Sequence, residues 1–465
     1  MSRFWDDIYE RAVGRGLLPC YETRLRGRNT FRYRDEFERN QWRSPEEIAA
    51  LQWERLQALL EHAYGTVDYY RALFDQAGIR PRDIATPADF ARLPILDKST
   101  VREHRDRLVS SAFKRSELVR SATGGSTGEP MQFYLNRESY ERRTAAAMRG
   151  DGWAGWRLCG PEFYIWGAQL LPQTRLKQLK VRLHFAGLRR TVVNSFELSP
   201  ERVAAAVERY NRSQPRVVIG YANAVYEFAR YVQQAGLRLH APEGVIASAE
   251  QLYPYQRELI EEVFGARVFE RYGCREVMMI GAECDRHEGL HVTADNLFVE
   301  VVRNGQLCEP GETGEILLTD LHNYGMPLIR YRVGDLGAWK GQDCSCGRGL
   351  PLLKGIEGRT LDAIATPSGR LISGVFFPHL FKDFPSIRTY QVIQEQRDQL
   401  NIRIALAAPF PPSERRTLED AVARAVGAEM RVSWEMGEDV IIEKRSKFRP
   451  VVSRVPVDFG ARPAE

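Results

Sequence analysis

Residues 121–130 read Ser-Ala-Thr-Gly-Gly-Ser-Thr-Gly-Glu-Pro, a stretch with three glycines, four hydroxyl side chains and no large apolar residue. Glycines let backbone N–H groups turn inward onto an anion, and Ser and Thr add small donors, so the composition suits phosphate. A Walker A loop is excluded, because Gly128 is followed by Glu129 where that motif requires lysine. The same residue types also build ordinary surface turns, so the run does not decide by itself. Thiols and imidazoles form a second group. Cys284-x-x-His287 and Cys344-x-Cys346 offer four soft or borderline ligands in two close pairs, a stoichiometry that suits tetrahedral zinc, with His291 as an alternative ligand. Four reduced, unligated side chains are the competing reading.

The elements that must position these residues follow from periodicity. Ile48, Leu51, Leu56, Leu59 and Leu60 recur at helical spacing and predict a helical N-terminal segment. Farther on, Ser199-Pro200 suits a helix start with Val203, Val207 and Tyr210 on one face, followed by the apolar strand Val217-Val218-Ile219 ending at Gly220. A helix with Val225, Phe228, Tyr231 and Val232 on one side ends near Gly236. Then come the strand Val245-Ile246-Ala247, a helix through Ile260 and Val263 to Gly265, and the strand from Val268 to Tyr272. Alternation of strand and helix predicts an α/β fold with a largely parallel, buried sheet. Beyond Asp362, Leu400, Ile402 and Ile404 alternate as a half-exposed strand. A Ser413-capped helix to Gly427 and a strand around Val432 complete a small α+β domain.

A chain of 465 residues with 43% hydrophobic and 27% charged residues is expected to be soluble and globular, with no apolar run long enough for a membrane span. The net charge of +5 comes from 66 basic and 61 acidic residues without a basic arm, so nucleic-acid binding is not indicated. The arginines between Arg24 and Arg43 alternate with acids and read as a solvated face. Seven dispersed cysteines and an N-terminus without an apolar signal core predict a cytoplasmic protein.

Four further segments follow the glycine-rich run: Tyr272-Gly273-Cys274-Arg275-Glu276 after a predicted strand, residues 327–335 (Pro-Leu-Ile-Arg-Tyr-Arg-Val-Gly-Asp), Gly358-Arg359-Thr360-Leu361-Asp362, and Ser446-Lys447-Phe448-Arg449. In this order they resemble the AMP-forming adenylating enzymes, and more narrowly the phenylacetate–CoA ligase family and its CapK-like branch, found with bacterial polysaccharide biosynthesis. The likeness runs from about His62 to Ser453, and the Cys-Ser-Cys-Gly-Arg stretch is similar to one in the same ligases.

The resemblance implies an acyl-adenylate-forming fold: a large adenylating domain with parallel sheets over residues 1–361 and a small mobile α+β cap over residues 362–465. It implies ATP and Mg²⁺ as cofactors and a small carboxylic acid as substrate. Coenzyme A is the expected acceptor. An amine, a hydroxyl or a carrier-protein thiol is the alternative, and a nucleotide-binding scaffold without turnover a further one. Carboxylate attack on the α-phosphate brings an anion to a polyanion, so preorganised donors and cations carry the rate.

By the same likeness Thr123, Gly124, Gly125, Ser126, Thr127 and Gly128 face the β- and γ-phosphates. Glu276 holds Mg²⁺, Tyr272 and Gly273 lie at the adenine, and Asp335 receives the ribose hydroxyls. Arg359 joins the nucleotide contacts and marks the hinge with Asp362, and Lys447 is the catalytic cation. Position at predicted strand ends nominates Trp166, Tyr221, Asn223 and Ser248 for the acid. Arg275 and Ser446 depart from the usual pattern, and so does the aromatic stretch with Trp156, Tyr164, Trp166 and Gln169, which puts aryl-acid specificity in doubt. A homodimer is left open, since nothing in the sequence fixes the oligomeric state.

Overall fold

Val217, Val218 and Ile219 are consecutive and all fully buried, which requires a sheet covered on both faces. The computed structural model describes residues 7–123, 131–166, 175–194, 200–359, 364–367, 371–372, 376–381, 384, 386–437, 440 and 450–455. By compactness the chain divides into one unit of Met1–Val299, Leu317–Tyr331 and Trp339–Gly355, and a second of Glu300–Ile316, Arg332–Ala338 and Ile356–Glu465. The sequence placed a single boundary near residue 362. The second unit also takes in strand segments from before that point, which no local composition change marks.

In the first unit, helices α1 (Thr30–Asn40), α2 (Pro45–Thr66) and α3 (Asp68–Ala77) form the N-terminal part. Helix α2 starts where it does because Ser44 Oγ accepts from the Glu47 N–H while Glu47 accepts from the Ser44 N–H, with Pro45 in the first turn. Ile48, Leu56, Leu59 and Leu60 are on its buried face, as the spacing predicted, while Leu51 is only half-buried, and extended Val67 separates it from α3. The arginines of this region are not all solvated. Glu36 of α1 accepts from Arg55 at 2.5 Å and from Arg142 at 3.0 Å. Burial alone would raise the Glu36 carboxyl, but the two guanidiniums pull it below its ordinary value.

Strands β1 (Val119–Ala122) and β2 (Gln132–Leu135) form an antiparallel hairpin, followed by helix α4 (Arg137–Trp153). The central sheet runs β4 (Arg190–Asn194), β3 (Glu162–Trp166), β5 (Val217–Tyr221), β6 (Gly244–Ser248) and β7 (Val268–Tyr272), all parallel. Antiparallel β8 (Gly281–Glu283) and β9 (Leu290–Val292) extend it. Phe163, Ile165, Val218, Val245, Ala247 and Val268 face helices α5 (Pro200–Ser213), α6 (Ala222–Gln234) and α7 (Pro254–Phe264). Ala154, Val217, Ile219, Ile246 and Phe269 pack on the other face. Phe163, Tyr210, Phe228 and Phe264 meet in a chain of ring contacts at 5.0–6.2 Å, each ring contributing about 1.5–3 kcal/mol by burial. Gly236 and Gly265, at φ +62°, end α6 and α7 in the left-handed region as their positions predicted.

In the second unit, strands β10 (Ile387–Gln396), β11 (Gln399–Leu406), β12 (Arg431–Gly437) and β13 (Val451–Ser453) form a separate sheet in the order β12-β11-β10-β13. Leu400, Ile402 and Ile404 of β11 are buried against Leu418, Val422 and Val426 of helix α8 (Pro412–Val426). Ser413 does not cap this helix. Pro411 is the N-cap residue, Pro412 supplies the preset φ of the first turn, and the Ser413 carbonyl accepts from the Thr417 hydroxyl. Ser199 lies outside the described residues, and α5 begins at Pro200.

Candidate functional site

The foot of the glycine-rich loop is built by backbone pairing. Ala122 faces Gln132 in the hairpin, the Thr123 N–H donates to the Met131 carbonyl at 2.9 Å, and the Met131 N–H donates to Thr123 Oγ1 at 3.0 Å. Met131, Phe133 and Leu135 are buried and root the hairpin in the core. Thr123 is thereby placed at the loop's entrance. Gly124, Gly125, Ser126, Thr127 and Gly128 lie outside the described residues.

Beyond β7 the chain makes a tight return. The Met278 N–H donates to the Cys274 carbonyl at 2.8 Å and the Ile280 N–H to the Tyr272 carbonyl at 2.9 Å. Gly273 is fixed by this geometry, because a Cβ there would stand 1.9 Å from the Met278 carbonyl oxygen. Tyr272, at the strand end, is buried. Arg143 of α4 reaches the same turn, donating to the carbonyls of Glu276 at 3.2 Å and Arg275 at 2.9 Å. Arg275 itself is exposed and its Nε makes a long 3.4 Å contact with the Ala122 carbonyl, so the turn and the hairpin foot touch.

Glu276 is buried, and its Oε1 accepts a 2.7 Å hydrogen bond from the Tyr331 hydroxyl. That hydroxyl also lies 3.7 Å from Met131 Sδ. Burial, and then the Glu276 charge, push the Tyr331 phenol far above its ordinary range, so it stays a donor at any working pH. Neither Arg143 nor Tyr331 was singled out from the sequence. Tyr331 stands inside the segment 327–335, but nothing local shows that its partner is 55 positions away.

The carboxyl ends of the parallel strands gather the other nominated residues. Trp166 ends β3 and Tyr221 ends β5, with ring centroids 4.2 Å apart. Ser248 ends β6, where Arg271 Nε donates to its hydroxyl at 3.2 Å. Arg271 also pairs with both oxygens of Asp151, at 3.0 and 2.9 Å. Burial raises the Asp151 carboxyl and the Arg271 charge opposes that rise. Asn223 is differently engaged: its N–H donates to Glu250 and its Oδ1 accepts from Gln256 at 2.8 Å, fixing the start of α6 to that of α7.

Asp335 is buried on the strand Tyr331–Trp339, in the second unit. Arg359 is the last residue of the strand Leu352–Arg359. Asp362, Ser446 and Lys447 lie outside the described residues.

The structure corrects the thiol–imidazole set. Cys284, Cys344 and Cys346 converge, but the imidazole that joins them is His291, all four ligand atoms lying within 4.8 Å of one another. His287 turns away, in a left-handed backbone conformation at φ +54°, with Nδ1 3.3 Å from Glu283 and its ring against Phe269.

Comparisons with known proteins agree with this architecture. The chain is 26% identical to a phenylacetate–coenzyme A ligase of Thermus thermophilus over 376 residues, 78% of this chain and 83% of the relative. It is 23% identical to protein CapK of Staphylococcus aureus over 314 residues, 67% of each. The chain is a homologue of these ligases and of CapK. Residues 364–454 match the CapK C-terminal domain family. A crystal structure of 2-hydroxyisobutyryl-CoA ligase in complex with an acyl-AMP superposes with a TM-score of 0.71 at 21% identity, covering 89% of this chain and 91% of that one. The fold of this CapK-related chain is therefore that of adenylate-forming ligases. Among the described residues, no helix is long and apolar enough to cross a membrane.

Proposed function

We propose that the protein activates a carboxylic acid with ATP, releasing pyrophosphate, and passes the acyl group from the acyl-adenylate to the thiol of coenzyme A. The observation that carries this reading is the convergence at Tyr331: one hydroxyl meets the carboxylate of Glu276 and the foot of the glycine-rich hairpin at Met131. A phosphate-binding loop and a cation-binding carboxylate held to one point are what an attack on a nucleotide α-phosphate requires. The homology and the shared fold supply the reaction class.

In this reading the backbone of residues 123–128 receives the β- and γ-phosphates, and Tyr272 lies along the adenine above the closed turn at Gly273. Asp335 accepts from the ribose hydroxyls, Arg359 stands at the hinge and Lys447 meets the α-phosphate. Glu276 suits Mg²⁺, a hard cation taken up through one or two carboxylates plus phosphate oxygens. The hydrogen bond from Tyr331 to Oε1 would orient the carboxylate for it. Bound there, Mg²⁺ would neutralise phosphate charge. The acid enters at the strand ends between the Trp166–Tyr221 pair and Ser248, whose hydroxyl Arg271 orients. An odd, dispersed set of seven cysteines suits a reducing, cytoplasmic setting.

A panel of carboxylates screened with ATP and Mg²⁺ by hydroxamate trapping and pyrophosphate exchange tests the reading. At least one acid should drive exchange, with AMP release that then depends on coenzyme A. Exchange with no acid leaves a scaffold, and release driven by an amine instead moves the protein to the alternative acceptor class. Lys447→Ala should abolish exchange yet spare transfer from a supplied acyl-adenylate.

A further inference from the structure

Cys284 follows β8, His291 lies within β9, and Cys344 and Cys346 stand on the turn that leads into the strand Leu352–Arg359. Leu352 pairs with His291, so both halves of the cluster are attached to one strand pair. The Sγ atoms of Cys284 and Cys344 are 3.6 Å apart, and Cys346 Sγ is 3.3 Å from His291 Nε2. Two thiolates each ~2.3 Å from a tetrahedral zinc stand ~3.8 Å apart, and a thiolate and an imidazole nitrogen ~3.6 Å, so the four atoms already hold nearly the spacing of a coordination shell.

The surroundings favour the same conclusion. His291 Nδ1 lies 3.2 Å from the Leu350 carbonyl, which fixes that nitrogen as the N–H donor and leaves Nε2 with its lone pair facing the sulfurs. The Trp153 ring packs edge-on against the imidazole at 5.4 Å. Backbone N–H groups of Arg286 and Arg348 point at the sulfurs of Cys284 and Cys346, at 3.5 and 3.4 Å, where they would stabilise thiolate charge. Gly347, at φ +82°, allows the sharp turn that lets both cysteines of the Cys-x-Cys pair face the same point.

We propose that Cys284, His291, Cys344 and Cys346 bind one zinc ion in a closed, four-coordinate structural site. Binding replaces three S–H bonds by Zn–S bonds and releases three protons to solvent, while neutral His291 adds its nitrogen lone pair. Four protein ligands leave no position for water, so the ion takes no part in hydrolysis or transfer; it clamps the β8–β9 hairpin to the turn before residue 352. The site does not depend on the proposed reaction.

Metal analysis of the full chain purified without added metal, combined with cobalt exchange into the reduced protein, tests it. The expected result is about one zinc per chain, with thiolate-to-cobalt charge-transfer absorption and intense tetrahedral bands after exchange. Cys346→Ser and His291→Asn should lose the ion and melt at lower temperature, whereas His287→Asn should keep it. If a variant fails to fold, mercurial titration of the wild type keeps the idea testable, because three thiols must react as zinc is released. A reduced wild-type protein that takes up neither zinc nor cobalt overturns the site, as does a Cys284–Cys344 disulfide in freshly purified protein. Retention by His291→Asn with loss by His287→Asn overturns the ligand set.

Discussion

The hydroxyl of Tyr331 donates to Oε1 of Glu276 at 2.7 Å, both groups being buried. A hydrogen bond to a charged acceptor in such a place contributes about 1.5–3 kcal/mol, and it holds the carboxyl group in one orientation. Tyr331→Phe removes that constraint with little change of volume. The magnesium concentration giving half-maximal pyrophosphate exchange should rise by about tenfold, equivalent to ~1.4 kcal/mol, while the KM for coenzyme A stays put. An unchanged magnesium dependence would show that Glu276 is positioned by the turn alone.

Asp151 and Arg271 form a two-point ion pair beneath Ser248. Removing one partner strands the other. Asp151→Asn should cost about 3 kcal/mol, read as a lowered midpoint in urea, with the Asp151→Asn/Arg271→Met double variant recovering much of the loss. Additive losses from the two changes would mean that the pair is not coupled.

Glu270 of β7 sits beside Glu283, whose carboxylate accepts from its backbone N–H. Burial, then the Glu283 charge, push the Glu270 carboxyl from its ordinary 4.5 to about 7. A raised folded-state value means that the folded protein holds the proton more tightly than the unfolded chain. The stability this confers is complete below pH ~4.5 and is lost as pH rises through about 7, up to ~3 kcal/mol in all. Melting temperature should therefore fall from pH 5 to pH 8 more steeply in the wild type than in Glu270→Gln. Parallel curves would mean that Glu270 ionises normally.

The α/β alternation was legible because β5 and β6 are short apolar runs, β7 opens on Val268 and Phe269, and α6 and α7 each end at a glycine able to turn left-handed. Helix α4 was not legible, although it supplies Arg143 and Asp151 to the site. Its buried residues include Ser139, Glu141, Arg142, Arg143, Arg149 and Asp151, so no apolar stripe exists to betray it. Those charges are buried at bearable cost because partners from distant segments meet them, as Asp295 meets Arg149 at 2.8 and 3.0 Å. His287 misled for a related reason. Spacing to Cys284 favoured it, but backbone direction decides where an imidazole points, and β9 turns His291 toward the sulfurs instead.

Gly273 bears on how this part of the chain should be compared across species. The obstacle to a larger residue is the carbonyl of Met278, a piece of the protein's own main chain. Glycine will therefore persist here in descendants that have given up nucleotide chemistry altogether, and its presence in an alignment speaks for an intact turn. On the role proposed above for Glu276, its inheritance together with Tyr331 is the pattern by which active and silenced members should be told apart.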